Sequence, residues 1–344
     1  MRGMRGSGAR GSKLKFARSL PVLALLTMAA AAGQQNPQTP PANPAQQPAP
    51  AAQPDAGAQA PGAASADQAN TQNKKVISDQ AEYNTFVAAE NLQDPTERAE
   101  AMESFAQKYP KSIVAGDALE EALSAWQAAG DSVKVLEIAR QLISVDGGNV
   151  RALAIAVALD RVSAAQGDSS ALDELCRYST AGMRESAAWQ KPAGVADADF
   201  AQLRKQMDMI FNGASGYCAL EERDFSQARD WYARTVAMDP TNLQDMYQLA
   251  IADLELSPID VNGFWYCARA IHLVTAGANA GSAGGMESYC KPKYIAYHGS
   301  ADGWDAIVAA GANQTMLPPN FAAGVTSAPA PPSHPAPASP ARPH

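Results

Sequence analysis

The side chains with most chemical reach in this chain are four cysteines, Cys176, Cys218, Cys267 and Cys290, and the histidines near them. A zinc site needs ligands at short, characteristic spacings. Cys267 and His272 stand five residues apart, about 140° round a helix, so they do not face one ion. Cys290 and His298 are eight apart, with a helix end expected between them. His298, Ser300 and Asp302 crowd one turn. Residues that close serve as turn caps through side chain–backbone hydrogen bonds, whereas a hydrolytic triad is defined by separate spatial roles. The adjacent carboxylates Glu120-Glu121 and Glu221-Glu222 point to different azimuths of a helix, which suits a solvated face better than paired acid–base work. The glycine run from Gly281 lacks the lysine and preceding strand of a phosphate loop. The expectation is no catalytic residue, no metal and no cofactor. A hydrolase or metal-binding protein is the reading these residues support least.

The elements that must position any site are helices used more than once. The stretch DSVKVLEIARQLISVDGGN from Asp131 matches DFSQARDWYARTVAMDPTN from Asp224 without a gap, at an offset of 93 residues. Asp131, Asp146 and Asn149 fall on Asp224, Asp239 and Asn242, and each stretch is followed by a second helical run. Apolar residues recur three and four apart, as in Leu136, Ala139, Leu142 and Ile143, the period of a helix. Gly130-Asp131, Gly147-Gly148 and Gly167-Asp168 interrupt the helical runs. Asp94-Pro95-Thr96-Glu97 reads as an N-cap with proline in the first turn. Thr241 to Gln244 reads as a capping box. VRALAIAVALD is apolar nearly all round, as expected of a helix covered on every side. No two-residue alternation appears, so the expected fold is all-α, an α-solenoid of stacked antiparallel helix hairpins.

These residues resemble the tetratricopeptide repeat. Gly216, Ala228, Tyr232 and Pro240 fall at the spacings of that family's 34-residue signature, while Asn212, Ser215 and Ala219 replace its usual Trp, Leu and Tyr. The copy from Asp131 keeps Trp126 in an aromatic place but has Gly147 where proline is expected. Near Leu243, Leu249 and Ala250 match, and one extra residue brings Gly263, Cys267 and Ala270 into place. The 93-residue offset exceeds two repeats by about 25 residues, which places an insertion near Arg184 to Asp208, with Lys191 to Gly194 as a surface loop. The segment ESYCKPKYIAYHGSADGWDAIVAAGA is similar to the end of secreted bacterial tetratricopeptide proteins. The resemblance implies a concave groove lined by the first helix of each hairpin, taking an extended protein or peptide segment. By position, its candidate residues are Tyr217, Leu220, Tyr247, Ile251 and Glu255; taken singly each reads first as inter-repeat packing, and as a group they are the best place for a partner.

The ends carry different information. Residues 1–32 have the basic start, apolar run and small-residue finish of a secretory signal peptide. The apolar run from Leu20 is shorter than the roughly 20 residues a membrane-spanning helix needs, so no stable span is expected after cleavage. Residues 33–74 are a Pro/Ala/Gln-rich linker and 326–344 a Pro/Ala-rich tail, both expected to be disordered. The repeat domain is expected over 75–325, with its clearest repeats at 116–183 and 209–276 and closing helices within 286–317.

The whole chain carries −8. Removing the signal's six basic residues leaves 21 Lys+Arg against 35 Asp+Glu, a balance of −14. That repels phosphate backbones, so no nucleic acid is expected as partner. An exported chain meets an oxidising compartment, and four cysteines allow three pairings. Neighbours along a solenoid are natural partners, giving Cys176–Cys218 and Cys267–Cys290; four buried thiols are the alternative. The expected function is a periplasmic or secreted scaffold that binds a peptide or envelope protein. The alternative is a structural or wall-associated spacer without a dedicated pocket.

Overall fold

The computed structural model describes Lys75 and residues 77–192, 194–277 and 280–328. The expected signal peptide and nearly all of the linker and tail lie outside these residues. The described residues form twelve α-helices and no strand. They fall into two compact units, with the main boundary between Gly147 and Gly148. Residues of the repeat domain expected over 75–325 fall in both units.

The first unit holds α1 (Gln80–Glu90), α2 (Pro95–Lys108), α3 (Ala115–Ala129) and α4 (Ser132–Val145). Its helices begin where the side chains cap them. Asp79 accepts from the Glu82 amide at 2.8 Å and Asp94 from the Glu97 amide at 3.0 Å, with Pro95 in the first turn. Gly130 ends α3 at φ 78°, a left-handed conformation that glycine adopts without steric cost. Asp131 then caps α4 through the amides of Val133 and Lys134. Each helix packs on the next, burying Met102, Phe105, Leu123, Ile138 and Leu142 completely or nearly so. The indole N–H of Trp126 donates to Glu103, which keeps that largely buried carboxylate partnered.

The second unit holds α5 (Val150–Ala165), α6 (Ser169–Ala188), α7 (Asp197–Glu221), α8 (Phe225–Met238), α9 (Leu243–Glu255), α10 (Asn262–Ala276), α11 (Ala283–His298) and α12 (Trp304–Asn313). Consecutive helices pack together from α5 to α11, and α12 returns onto α10. Helix α7 also touches α5 and α9, two elements away on either side. Contacts between first helices of successive hairpins are what stacking in a helical-repeat array produces. Residues 152–158 of α5 are buried without interruption, as the apolar run predicts.

The aligned caps take identical places. Asp131 and Asp224 are N-caps, Asp146 and Asp239 C-caps, and Asn149 and Asn242 N-caps of the helices that follow. One expectation needs correcting: the cap before α9 is Asn242, which accepts from the Asp245 amide at 3.1 Å, and not Thr241. Asparagine is the better N-cap, and the Thr241 hydroxyl is spent on Asp239 at 2.6 Å. The inserted residues lengthen two successive helices, the last of one hairpin and the first of the next. Helix α6 runs to Ala188 and α7 starts at Asp197, with Trp189 edge-on to Phe200 at 5.1 Å between them. The closing helices begin at Ala283, just before the expected 286, and end at Asn313, within the expected bound.

Candidate partner-binding groove

Helices α7 and α9 carry the five expected groove residues. Tyr217 is half-buried, with the Arg161 guanidinium 5.9 Å above its ring. Burial pushes its hydroxyl pKa up to about 12, helped by the charge and hydrogen bonding of Glu221. Leu220 and Ile251 are partly buried against the core of the unit. These three leave surface for a partner.

Tyr247 does not have the expected exposure, whereas the Glu255 side chain stays 35% exposed. Tyr247 is only 2% exposed, its ring set edge-on to Tyr289 of α11 at 6.3 Å. Glu255 accepts from the Tyr289 hydroxyl and from Lys293 Nζ, both at 2.7 Å. The correction has a physical reason: α11 lays Tyr289 and Lys293 over that end of α9. Burying an aromatic ring there gains more than leaving it in water. Tyr247 is thus part of the packing and not an anchor for a partner.

The groove floor contains residues that sequence reasoning missed. Arg161 of α5 pairs with Asp245 of α9 at 3.0 Å. Asp245 is also held by the Asn242 side chain, whose amide donates to its second oxygen at 3.0 Å. Between them lies Gly213 of α7, where an added Cβ would sit 2.9 Å from Arg161 Nη1 and 3.0 Å from Asp245 Oδ2. The glycine lets the guanidinium pass over α7. Beneath it, the Tyr232 hydroxyl is fully buried and has no hydrogen-bond partner among the described residues, and burial raises its pKa.

A second polar group sits at the end of α9. Asp253 is 1% exposed, and its Oδ1 accepts no hydrogen bond from the described residues. Burial is the main reason its pKa is pushed up to about 8; the nearby Asp260 adds to this and Arg229 opposes it. The signal for it in the sequence is slight, an aspartate within an apolar helix stripe.

The cysteines are paired, Cys176 with Cys218 and Cys267 with Cys290, and none is free. Neither Cys267 nor Cys290 can therefore offer a thiolate to a metal beside His272 or His298. Among the described residues no group of three or more His, Cys, Asp or Glu side chains is placed to hold a metal ion. In the Tyr297-His298-Gly299-Ser300 turn, Ser300 Oγ donates to Asp302 at 3.0 Å and accepts from the Asp302 amide at 3.1 Å. His298 turns away from both, its Nδ1 2.8 Å from the Thr326 carbonyl oxygen and its ring stacked on Tyr294. These three residues build a turn. No helix among the described residues is long and apolar enough to cross a membrane.

No protein-family model matches the chain, and no curated protein matches it.

Proposed function

We propose that this chain is an exported binding scaffold that holds a peptide or envelope protein on the face formed by the first helices of its repeats. The observation that carries the reading is the row made by α5, α7 and α9. In it Tyr217, Leu220 and Ile251 stand half-covered beside the Arg161–Asp245 pair. A rigid row with an aromatic and two aliphatic side chains left partly open is what a binding hot spot requires. The pairing of all four cysteines supports an oxidising compartment, periplasmic or extracellular. The reading is of a binding protein and not of an enzyme.

The test places a photo-cross-linking residue at Leu220 in the full chain, in its native envelope, and identifies the cross-linked segment. Cross-links lost on Tyr217→Ala, with the unfolding midpoint unchanged, support the face. A chain that cross-links to nothing at Leu220 would favour the spacer reading. The cover that α11 puts over Tyr247 points toward that reading, because it shortens the open face.

A further inference from the structure

Each disulfide joins two helices that are neighbours in sequence and in space, α6 to α7 and α10 to α11. Of the three pairings four cysteines allow, this is the sequential one. Neither closed loop contains or crosses the other. The bonds span 42 and 23 residues, and the stretch from Cys218 to Cys267 is longer than either.

Loop closure becomes less probable roughly as the 3/2 power of length. In an unfolded chain Cys267 therefore meets Cys290 about three times as often as it meets Cys218. Weighting all six possible first contacts the same way, about two thirds of first closures are native. Either native closure leaves the other two cysteines as the only remaining pair. A chain that emerges from its N-terminus improves on this, because Cys176 and Cys218 are both present before Cys267 appears. Once formed, the Cys267–Cys290 bond is fully buried, which shields it from exchange; in the other bond Cys218 is nearly buried and Cys176 half-buried.

We propose that this chain is a substrate of a dithiol–disulfide oxidase and reaches its native pairing by oxidation alone, without a disulfide isomerase. A thiolate of one cysteine attacks the oxidase disulfide, forms a mixed disulfide and releases one oxidase thiolate. The second cysteine's thiolate then attacks the chain's own sulfur in that mixed disulfide and expels the other oxidase sulfur. For each bond, two protons and two electrons leave the chain and the oxidase ends as a dithiol. The proposal is independent of the partner reading.

The experiment starts from the full chain, reduced and denatured, and dilutes it into buffer with an excess of an oxidised Cys-x-x-Cys oxidase. Thiols are alkylated at intervals and the disulfide peptides mapped by mass spectrometry. Cys267–Cys290 should appear first, and native pairs should dominate at completion. Added isomerase should raise their yield by less than about 1.5-fold, since only about a third of first closures need correction. A final population dominated by Cys218–Cys267 or crossed pairs, rescued severalfold by isomerase, overturns the proposal. A second chain carrying Cys267→Ser and Cys290→Ser should close Cys176–Cys218 at a rate within about twofold of the parent, as independent loops do; failure to close it overturns the proposal as well. Both readouts are covalent, so they hold whether or not a variant folds.

Discussion

Arg161 and Asp245 stand 84 residues apart in sequence and 3.0 Å apart in the structure, and a glycine of a third helix separates their backbones. The pair links α5 to α9 across α7. Both side chains are largely removed from solvent, Asp245 almost entirely. Their attraction must offset the loss of hydration, so the arrangement is sensitive to losing one partner.

Arg161→Met should destabilise the chain by about 3 kcal/mol or more, because Asp245 is left buried without its counter-charge. Adding Asp245→Asn, which keeps the amide cap from Asn242, should recover most of that loss. Gly213→Ala should cost less than Arg161→Met, since a flexible guanidinium can shift away from the new methyl group. Urea unfolding of the four chains measures all three statements; a double variant no more stable than Arg161→Met would show that the charge pair is not the link.

Asp253 should make stability fall with rising pH. Its folded-state pKa is pushed up to about 8 from an ordinary 3.8, chiefly by burial, with Asp260 adding to it and Arg229 opposing. The folded chain therefore holds a proton that the unfolded chain releases between those values. The contribution is fully present below about pH 4 and lost as pH rises through about 8. Asp253→Asn should remove this slope, gaining stability relative to the parent at pH 8.5 but not at pH 4. Equal differences at both values would mean that Asp253 keeps an ordinary pKa in the fold.

Much of this fold was legible because its repeats are local. Asp131 and Asp224, or Asn149 and Asn242, cap helices through amides two or three residues away, so their identity and spacing announce where each helix starts. The disulfide partners follow from adjacency along the array. The groove was less legible, for a physical reason. Whether Tyr247 is open depends on where α11 lies, and its cover, Tyr289, comes from 42 residues further on. Arg161 directly follows the apolar run of α5, and its partner Asp245 lies 84 residues further on. Side chains that meet across such separations leave no periodic trace in one sequence.

Tyr217 and Tyr247, equivalent as groove candidates in the sequence, should separate cleanly by experiment. Tyr247→Ala removes a buried ring and should cost about 3–5 kcal/mol, the range for large aromatic truncations in a core. Tyr217→Ala removes a half-exposed ring and should cost clearly less, while abolishing the cross-link from Leu220. Thermal unfolding paired with the cross-linking yield checks both. If Tyr247→Ala left stability untouched while Tyr217→Ala unfolded the chain, the burial assigned to the two rings would be reversed.

Gly216 tests the repeat packing directly. A Cβ there would sit 2.9 Å from two carbons of the Tyr232 ring, on the face where α7 meets α8. Tyr232 is fully buried and cannot swing into solvent. Gly216→Ala should therefore destabilise by about 1–3 kcal/mol through overpacking, despite alanine's better helix propensity. Tyr232→Leu in the same chain makes room for the methyl group, so the double variant should lose less than the two single losses added together. A denaturant series on the four chains gives the coupling. Strict additivity would mean that α7 and α8 are not held by this small-against-large contact, and the spacing match to tetratricopeptide repeats at Gly216 and Tyr232 would lose its physical basis.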